Sequence, residues 1–308
     1  MKVVVRDSRL AYETTDPCLA LDVTEQSKSL ETVQQIWDWF FELGLTRRDE
    51  VVAVGGGALT DMVGFACATY KRGVPYVNVP TTLLAMVDAS TGGKTGINYR
   101  GLKNSIGVFY PPKETIIDTK WLETLPVKEM LSGFGELLKT GLLDAALWPD
   151  VLQYDLETMP LDDLKPLITR CVDVKERFVH ADPHEEGLRK VLNLGHTFGH
   201  AVETCSGYTI LHGQAVAMGM AAVTKAASEM GLCSKETSVR VLELLDRYEL
   251  LRDIPFGLQE MYEAMLVDKK NNGSVTNLIV PVAIGNCRIM KIPTEKLKGW
   301  LAEGGVED

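Results

Sequence analysis

A chain of 308 residues with 45% hydrophobic side chains is long enough for two domains, each with its own core. A formal net charge of -10 argues against nucleic acid or an anionic membrane as partner, so an anionic small molecule must be met by locally gathered lysines and arginines. The sequence is read as carrying no signal peptide, transmembrane-length apolar run, internal repeat or low-complexity tract, and its six scattered cysteines form no C-x-x-C pair. That suits reduced thiols in a cytoplasm rather than a disulfide framework or a cysteine zinc site.

The first 22 residues hold one or two short strand-like runs. From Ser29, a good N-cap, the run Leu30 to Leu43 reads as an amphipathic helix closed by Gly44. Val51 to Val54 is fully apolar, the mark of a buried parallel strand, and leads into Gly55-Gly56-Gly57-Ala58-Leu59-Thr60-Asp61 and an apolar helix through Ala68. Strand, glycine turn and helix start together aim backbone N–H groups at a place where a pyrophosphate can sit. The GGGxxxD pattern departs from G-x-G-x-x-G, and an ordinary tight turn is the competing reading. Tyr76 to Val79 is a second apolar strand, ending in Pro80-Thr81-Thr82. The stretch Asp88 to Asn98 and the following Gly101-Leu102-Lys103-Asn104 are too rich in glycine and small polar groups for a core element. Lys94, Lys103 and Asn104 suit phosphate or carboxylate oxygens, against a plain solvated loop as the alternative. No glycine opens a Walker pattern ahead of Gly93-Lys94-Thr95.

After Asp118 long helical periodicities replace strands, which places a domain boundary between residues 118 and 119. Glu136 and Lys139 stand three apart on one helix face, either a surface ion pair or a buried carboxylate with its cation. Lys175, Glu185 and Arg189 follow, Arg189 seven residues before His196. His196 and His200 are one turn apart and leave one helix face, while His212 opens another Ala- and Met-rich helical run. Two imidazoles from adjacent helices with one carboxylate make an open, catalytic type of zinc site; the bland alternative is histidines bonded to backbone carbonyls. Near the end, Asp268-Lys269-Lys270 precedes a turn and an expected strand pair, Asn277 to Ala283 and Cys287 to Ile292.

Taken together these motifs resemble the 3-dehydroquinate synthase family of sugar phosphate cyclases, from about residue 25 to the C-terminus. The resemblance rests on GGGxxxD, RGV-x5-PTTLLA-x-VD, GGKTGIN with LKN, E-x-x-K, GLR-x3-N-x-GHTFGHA and LHG-x-AVAMGM, in that order. It implies an N-terminal α/β nucleotide domain (residues 1–118), an all-α C-terminal metal domain (residues 119–308) and an active site between them. It also implies a metal, zinc or cobalt, on Glu136, His196 and His212. NAD would be held by Glu25, Lys28, Gly55, Gly56, Gly57, Asp61, Thr81, Thr82, Lys103, Trp121 and Thr124. An anionic sugar phosphate would be held by Asp88, Lys94, Asn104, Lys139, Lys175, Arg189, Asn193 and one of Lys269 or Lys270. Glu185 and His200 would move protons, with Lys139, Lys94 and Asn104 close to the chemistry. Arg72 resembles an arginine that reaches a neighbouring subunit's phosphate, which implies a homodimer.

The family reaction is a ring exchange without net oxidation. A hydroxyl is oxidised transiently to a ketone, the neighbouring C–H is acidified, phosphate leaves, hydride returns, the pyranose opens and an intramolecular aldol closes the carbocycle. Departures are a shorter segment before Glu25, Thr24 for a glycine, Gln214 for a common Glu and Leu102 for a common Gly. The first of these carries the expectation that part of the adenosine side is missing and that NAD binding is weakened or rebuilt. Other cyclases of the valiolone or deoxyinosose type, a metal-dependent polyol dehydrogenase and a degenerate paralogue are the alternatives.

Overall fold

Three consecutive valines open the chain as a buried strand, β1 (Lys2–Asp7), and its neighbour β2 (Cys18–Leu21) pairs with it in parallel. The computed structural model describes residues 1–155, 158–269 and 274–308, with residues 267–269 as backbone alone. The chain divides into two units, Met1–Leu125 and Pro126–Asp308.

In the first unit β1 and β2 are followed by α1 (Leu30–Glu42), β3 (Glu50–Gly55), α2 (Gly57–Thr69), β4 (Tyr76–Pro80), β5 (Lys94–Tyr99), β6 (Leu102–Phe109) and β7 (Glu114–Thr115). The main sheet runs β2-β1-β3-β4-β7, parallel throughout, and β5 and β6 form a separate antiparallel pair. Strict alternation sorts β1 and β3 between two faces. Val3, Val5, Val51 and Ala53 join Val33, Ile36 and Phe40 of α1 and Leu59, Met62 and Val63 of α2 in one core. Val4, Val52, Val54 and Val79 form the other face, against Leu10, Tyr12 and Trp121. Ser29 caps α1 as expected, its hydroxyl accepting the Thr32 N–H, and Gly44 follows the helix in the left-handed region at φ +67°.

The early strands are therefore present: both apolar runs of the first 22 residues belong to the sheet, next to the strand that carries the glycine turn. The one or two strand-like runs expected in the first 22 residues are thus both strands. The short link, residues 8–17, contains no helix; Leu10 and Tyr12 from it cover the sheet face, and Tyr12 stacks on Trp121 with ring centroids 6.3 Å apart.

The second unit comprises α3 (Val127–Leu143), α4 (Trp148–Gln153), α5 (Leu164–Ala181), α6 (His196–Cys205), α7 (His212–Glu229), α8 (Lys235–Arg247), α9 (Leu258–Lys269), β8 (Val275–Ala283), β9 (Asn286–Pro293) and α10 (Leu297–Glu303). It is helical apart from the β8–β9 hairpin, where the strand pair was expected. Helix α7 is its axis: residues such as Ala215, Val216, Met220 and Val223 are buried on all sides, and α3, α6, α8 and α10 pack around it. Glycines allow backbone contact at its crossings. A methyl group on Gly213 would overlap the Ser132 carbonyl oxygen of α3, one on Gly135 would overlap the Gly213 carbonyl, and one on Gly219 would overlap the Gly195 carbonyl just before α6.

Candidate active site and metal centre

Glu136 and Lys139 lie on the inner face of α3, 0% and 2% exposed, joined as an ion pair. A buried carboxylate and ammonium are tolerated only with partners, and of the two readings of this spacing the buried pair is the one the structure shows. The two histidines that meet this carboxylate each open a helix. His196 is the first residue of α6, turned into place by Gly195 at φ +78°, and His212 is the first residue of α7. Their Nε2 atoms lie 3.7 and 3.4 Å from Glu136 Oε1.

Each ring has its other nitrogen occupied. His196 Nδ1 lies 3.1 Å from the Leu194 carbonyl and His212 Nδ1 lies 3.2 Å from Glu203 Oε2. Both partners accept, so Nδ1 carries the hydrogen in a neutral ring and the Nε2 lone pair is left for the shared point. The backbone-bonded alternative thus holds for one nitrogen of His196 while its other nitrogen faces Glu136. One donor atom from each of Glu136, His196 and His212 falls within 4.8 Å of the others. A carboxylate and two imidazoles with oriented rings are the donor set of an open, catalytic type of zinc site, so the residues fit the metal.

The electrostatics distinguish the two histidines. Burial, aided by the Lys139 charge, pushes His196 down to about 3, which keeps it neutral. Burial also acts downward on His212, but hydrogen bonds to Glu136 and Glu203 outweigh it and lift the ring to about 10. His200 is more exposed, one turn along α6, with its ring centroid 5.4 Å from that of His196 and 6.0 Å from that of His212. The expected sharing of one helix face by His196 and His200 is what the backbone delivers.

Between α5 and α6 the chain is organised by Asp182. Its carboxylate accepts the backbone N–H groups of Glu186, Gly187 and Arg189 at 2.8–3.0 Å. Burial opposes ionisation here, but those three bonds hold the carboxyl below its ordinary value. Glu185 takes the left-handed conformation (φ +58°) and accepts from the Asn193 amide. Arg189 is 2% exposed, with Nη1 donating to the Pro183 carbonyl at 2.7 Å, and Lys175 on α5 is 9% exposed. Sequence reading missed Asp182, whose position three residues before Glu185 was its only local signal, and Glu203, three residues after His200 on the same helix.

In the first unit β3 ends at Gly55, Gly56 is the N-cap and α2 begins at Gly57. The glycines serve close approach: a Cβ on Gly56 would sit 3.1 Å from the Thr82 methyl, and one on Gly57 would sit 3.0 Å from the Ala89 Cβ. Thr81 donates its N–H to the Gly55 carbonyl and the Thr82 hydroxyl accepts from Ala85 N, so both threonines border the turn. Bare main chain at the start of a 13-residue helix fits the phosphates of a dinucleotide.

Beside it Lys28, 3% exposed, donates to Asp61 at 2.5 Å and also to Asn104. Asn98 donates its amide to Glu25 at 2.9 Å and accepts the Asn104 N–H at 2.9 Å. Glu25, Lys28, Asp61 and Asn104 are therefore one network, in which Asn104, expected on the substrate side, bonds a lysine expected on the cofactor side. Lys94 and Lys103 lie on the β5–β6 pair, and Asp88 lies in a single π-helical turn, Ala85–Ala89. Trp121 is stacked on Tyr12 and Thr124 is exposed. Arg72 is exposed on a left-handed turn at φ +64°. Lys270 and the Lys269 side chain lie outside the described residues.

Comparison with known proteins agrees in both units. Residues 18–132 match the family model for the 3-dehydroquinate synthase N-terminal domain and residues 133–271 the model for the C-terminal domain. The chain is 44% identical over 275 residues to a 3-dehydroquinate synthase from Geotalea uraniireducens, covering 87% of this chain and 76% of that protein. Among solved structures, a 2-epi-5-epi-valiolone synthase from Streptomyces hygroscopicus with NAD+ and Zn2+ bound superposes with a TM-score of 0.88 at 28% identity, over 99% of this chain and 90% of that one. A 2-deoxy-scyllo-inosose synthase complexed with carbaglucose-6-phosphate, NAD+ and Co2+ superposes with a TM-score of 0.85 at 25% identity, over 98% and 90%.

Proposed function

The chain belongs to the 3-dehydroquinate synthase family, and from that premise we propose that it is an NAD- and metal-dependent carbon–oxygen lyase of the shikimate pathway. It converts 3-deoxy-D-arabino-heptulosonate 7-phosphate to 3-dehydroquinate and phosphate. The observation that carries this reading is the cluster of one carboxylate and two imidazoles, within 4.8 Å, in a unit matched by the family's C-terminal model.

When bound, NAD supplies a reversible hydride acceptor and the metal, zinc or cobalt, a Lewis acid for a substrate oxygen. The chain's own residues do the rest. Glu136, His196 and His212 hold the ion, and the bare main chain at Gly55, Gly56 and Gly57, with Asp61, Thr81, Thr82, Lys28, Glu25 and Lys103, holds the cofactor. Trp121 and Thr124 complete that side. Buried cations suit an anionic substrate, since Arg189 and Lys175 act in a medium where charge is poorly screened. Asp88, Lys94, Asn104, Lys139, Asn193 and the Lys269–Lys270 pair are assigned to the same substrate.

Glu185, steadied by the Asn193 amide, and His200, an exposed imidazole beside His196 and His212, carry protons between substrate atoms. Arg72, exposed on its left-handed turn, supports a homodimer in which it reaches a neighbour's substrate. Among the described residues no disulfide joins two cysteines, which supports a cytoplasmic location, and no helix is long and apolar enough to cross a membrane.

The test is inorganic phosphate release from 3-deoxy-D-arabino-heptulosonate 7-phosphate with NAD and zinc, against a chelator-treated control. Metal-dependent release with 3-dehydroquinate as product and no net NADH is expected. The likeness to the inosose synthase supports a second reading, a cyclase of uncarboxylated sugar phosphates. Turnover of glucose 6-phosphate in place of the carboxylated substrate would establish it. Net NADH from a simple polyol would instead mark a dehydrogenase.

A further inference from the structure

Behind the metal donors stands a buried carboxylate outside every assignment made so far. Glu203 lies on α6, 2% exposed, and its Oε2 is 3.2 Å from His212 Nδ1. We propose that Glu203 is a positioning residue for the metal centre, a reading that rests on the metal assignment above. Its carboxylate takes the Nδ1–H of His212, fixes the tautomer and ring plane, and so presents Nε2 beside Glu136.

The chemistry of imidazole requires such a partner. A neutral ring has one lone pair, and only a hydrogen bond at Nδ1 decides that the lone pair sits at Nε2. The His212 side chain is 30% exposed and is the first residue of its helix, so packing restrains the ring on fewer sides than it restrains His196, at 12%. The two rings are also held by different means: His196 by a main-chain carbonyl, His212 by a side chain. A carboxylate in this place adds negative charge, which makes the imidazole a better donor and offsets the positive end of α7. The competing reading makes Glu203 a ligand itself, because His200, Glu203 and His212 form a second set of donor atoms within 4.8 Å.

Metal-stripped wild type, Glu203→Ala and Glu203→Gln chains would be titrated with Co2+ against a chromogenic chelator, recording the visible absorption of the bound ion, with circular dichroism to confirm folding. The inference expects one ion per wild-type chain, binding about 10–100-fold weaker in Glu203→Ala and an altered absorption band. Glu203→Gln, whose amide oxygen still accepts the N–H, should lose less but remain measurably weaker. Wild-type affinity and spectrum in folded Glu203→Ala overturn the inference. If that variant does not fold, the near-isosteric Glu203→Gln decides: weaker binding with a shifted band supports the inference, and wild-type values overturn it. Two ions per wild-type chain, one of them lost in the variants, overturn it in favour of direct ligation. A wild-type chain that binds no metal removes the metal assignment, and this inference with it.

Discussion

Glu136 answers to three neighbours at once, an ammonium on its own helix and two imidazoles from other helices. Removing it from the metal-free protein takes from the buried Lys139 the carboxylate of its ion pair, and breaking a buried pair from one side costs about 3–5 kcal/mol. Glu136→Ala should therefore unfold at lower denaturant concentration, and adding Lys139→Met should recover most of the loss. Chemical denaturation of the two variants checks this; equal stability of the single and double variants would show that the pair is not coupled. The histidine spacing, the E-x-x-K string and the glycine turn made most of this site legible in the sequence, because each is local in the chain. Glu203 and Asp182 were not legible. An acidic residue on a helix or before a proline has many roles, and theirs are set by a ring nine residues away and by the fold of a loop.

At the level of elements, strand 51–54 could be read because a strand buried on both faces is apolar without interruption, and strand 76–79 because only the buried Asn78 breaks its apolar run. The cover provided by Leu10, Tyr12 and Trp121 could not, since an irregular link has no period to detect. Nor could the helix crossings, where glycines distant in sequence touch. Gly213→Ala should force α3 and α7 apart, at a cost of about 1–3 kcal/mol or more, and weaken metal binding because His212 is its neighbour. Gly299, exposed in α10 with open space at its Cβ position, provides the contrast: Gly299→Ala should stabilise by about 0.5–1 kcal/mol and leave metal affinity alone. Melting temperatures and Co2+ titrations of both variants would measure these effects. A tolerated Gly213→Ala would contradict the crossing as described.

For the whole molecule, each unit has its own core, so the two cofactors should leave separate imprints. Amide hydrogen exchange should slow around residues 55–61, 81–82 and 28 on adding NAD. On adding zinc it should slow at the N-terminal turns of α6 and α7 and around Glu136 in α3. Ligand at a hundred times its Kd stabilises the unit that binds it by about 2.7 kcal/mol, enough to register in that unit's slowest amides. Zinc protection confined to the first unit would refute the assignment of ligands. The boundary itself was only approximately visible in sequence, because residues 119–125 look like the start of a helical region but pack, through Trp121, with the sheet.

Each of the three proposed metal ligands is the chain neighbour of a glycine at a helix crossing: Gly135 beside Glu136, Gly195 beside His196, Gly213 beside His212. The spacing of the donors is thus set by main chain resting on main chain. Side chains elsewhere in the core can be exchanged without changing that spacing, as long as volume is kept. Under random mutation and selection for activity, the lineage of this unit should show free drift in its leucines, valines and methionines and almost none at these three positions.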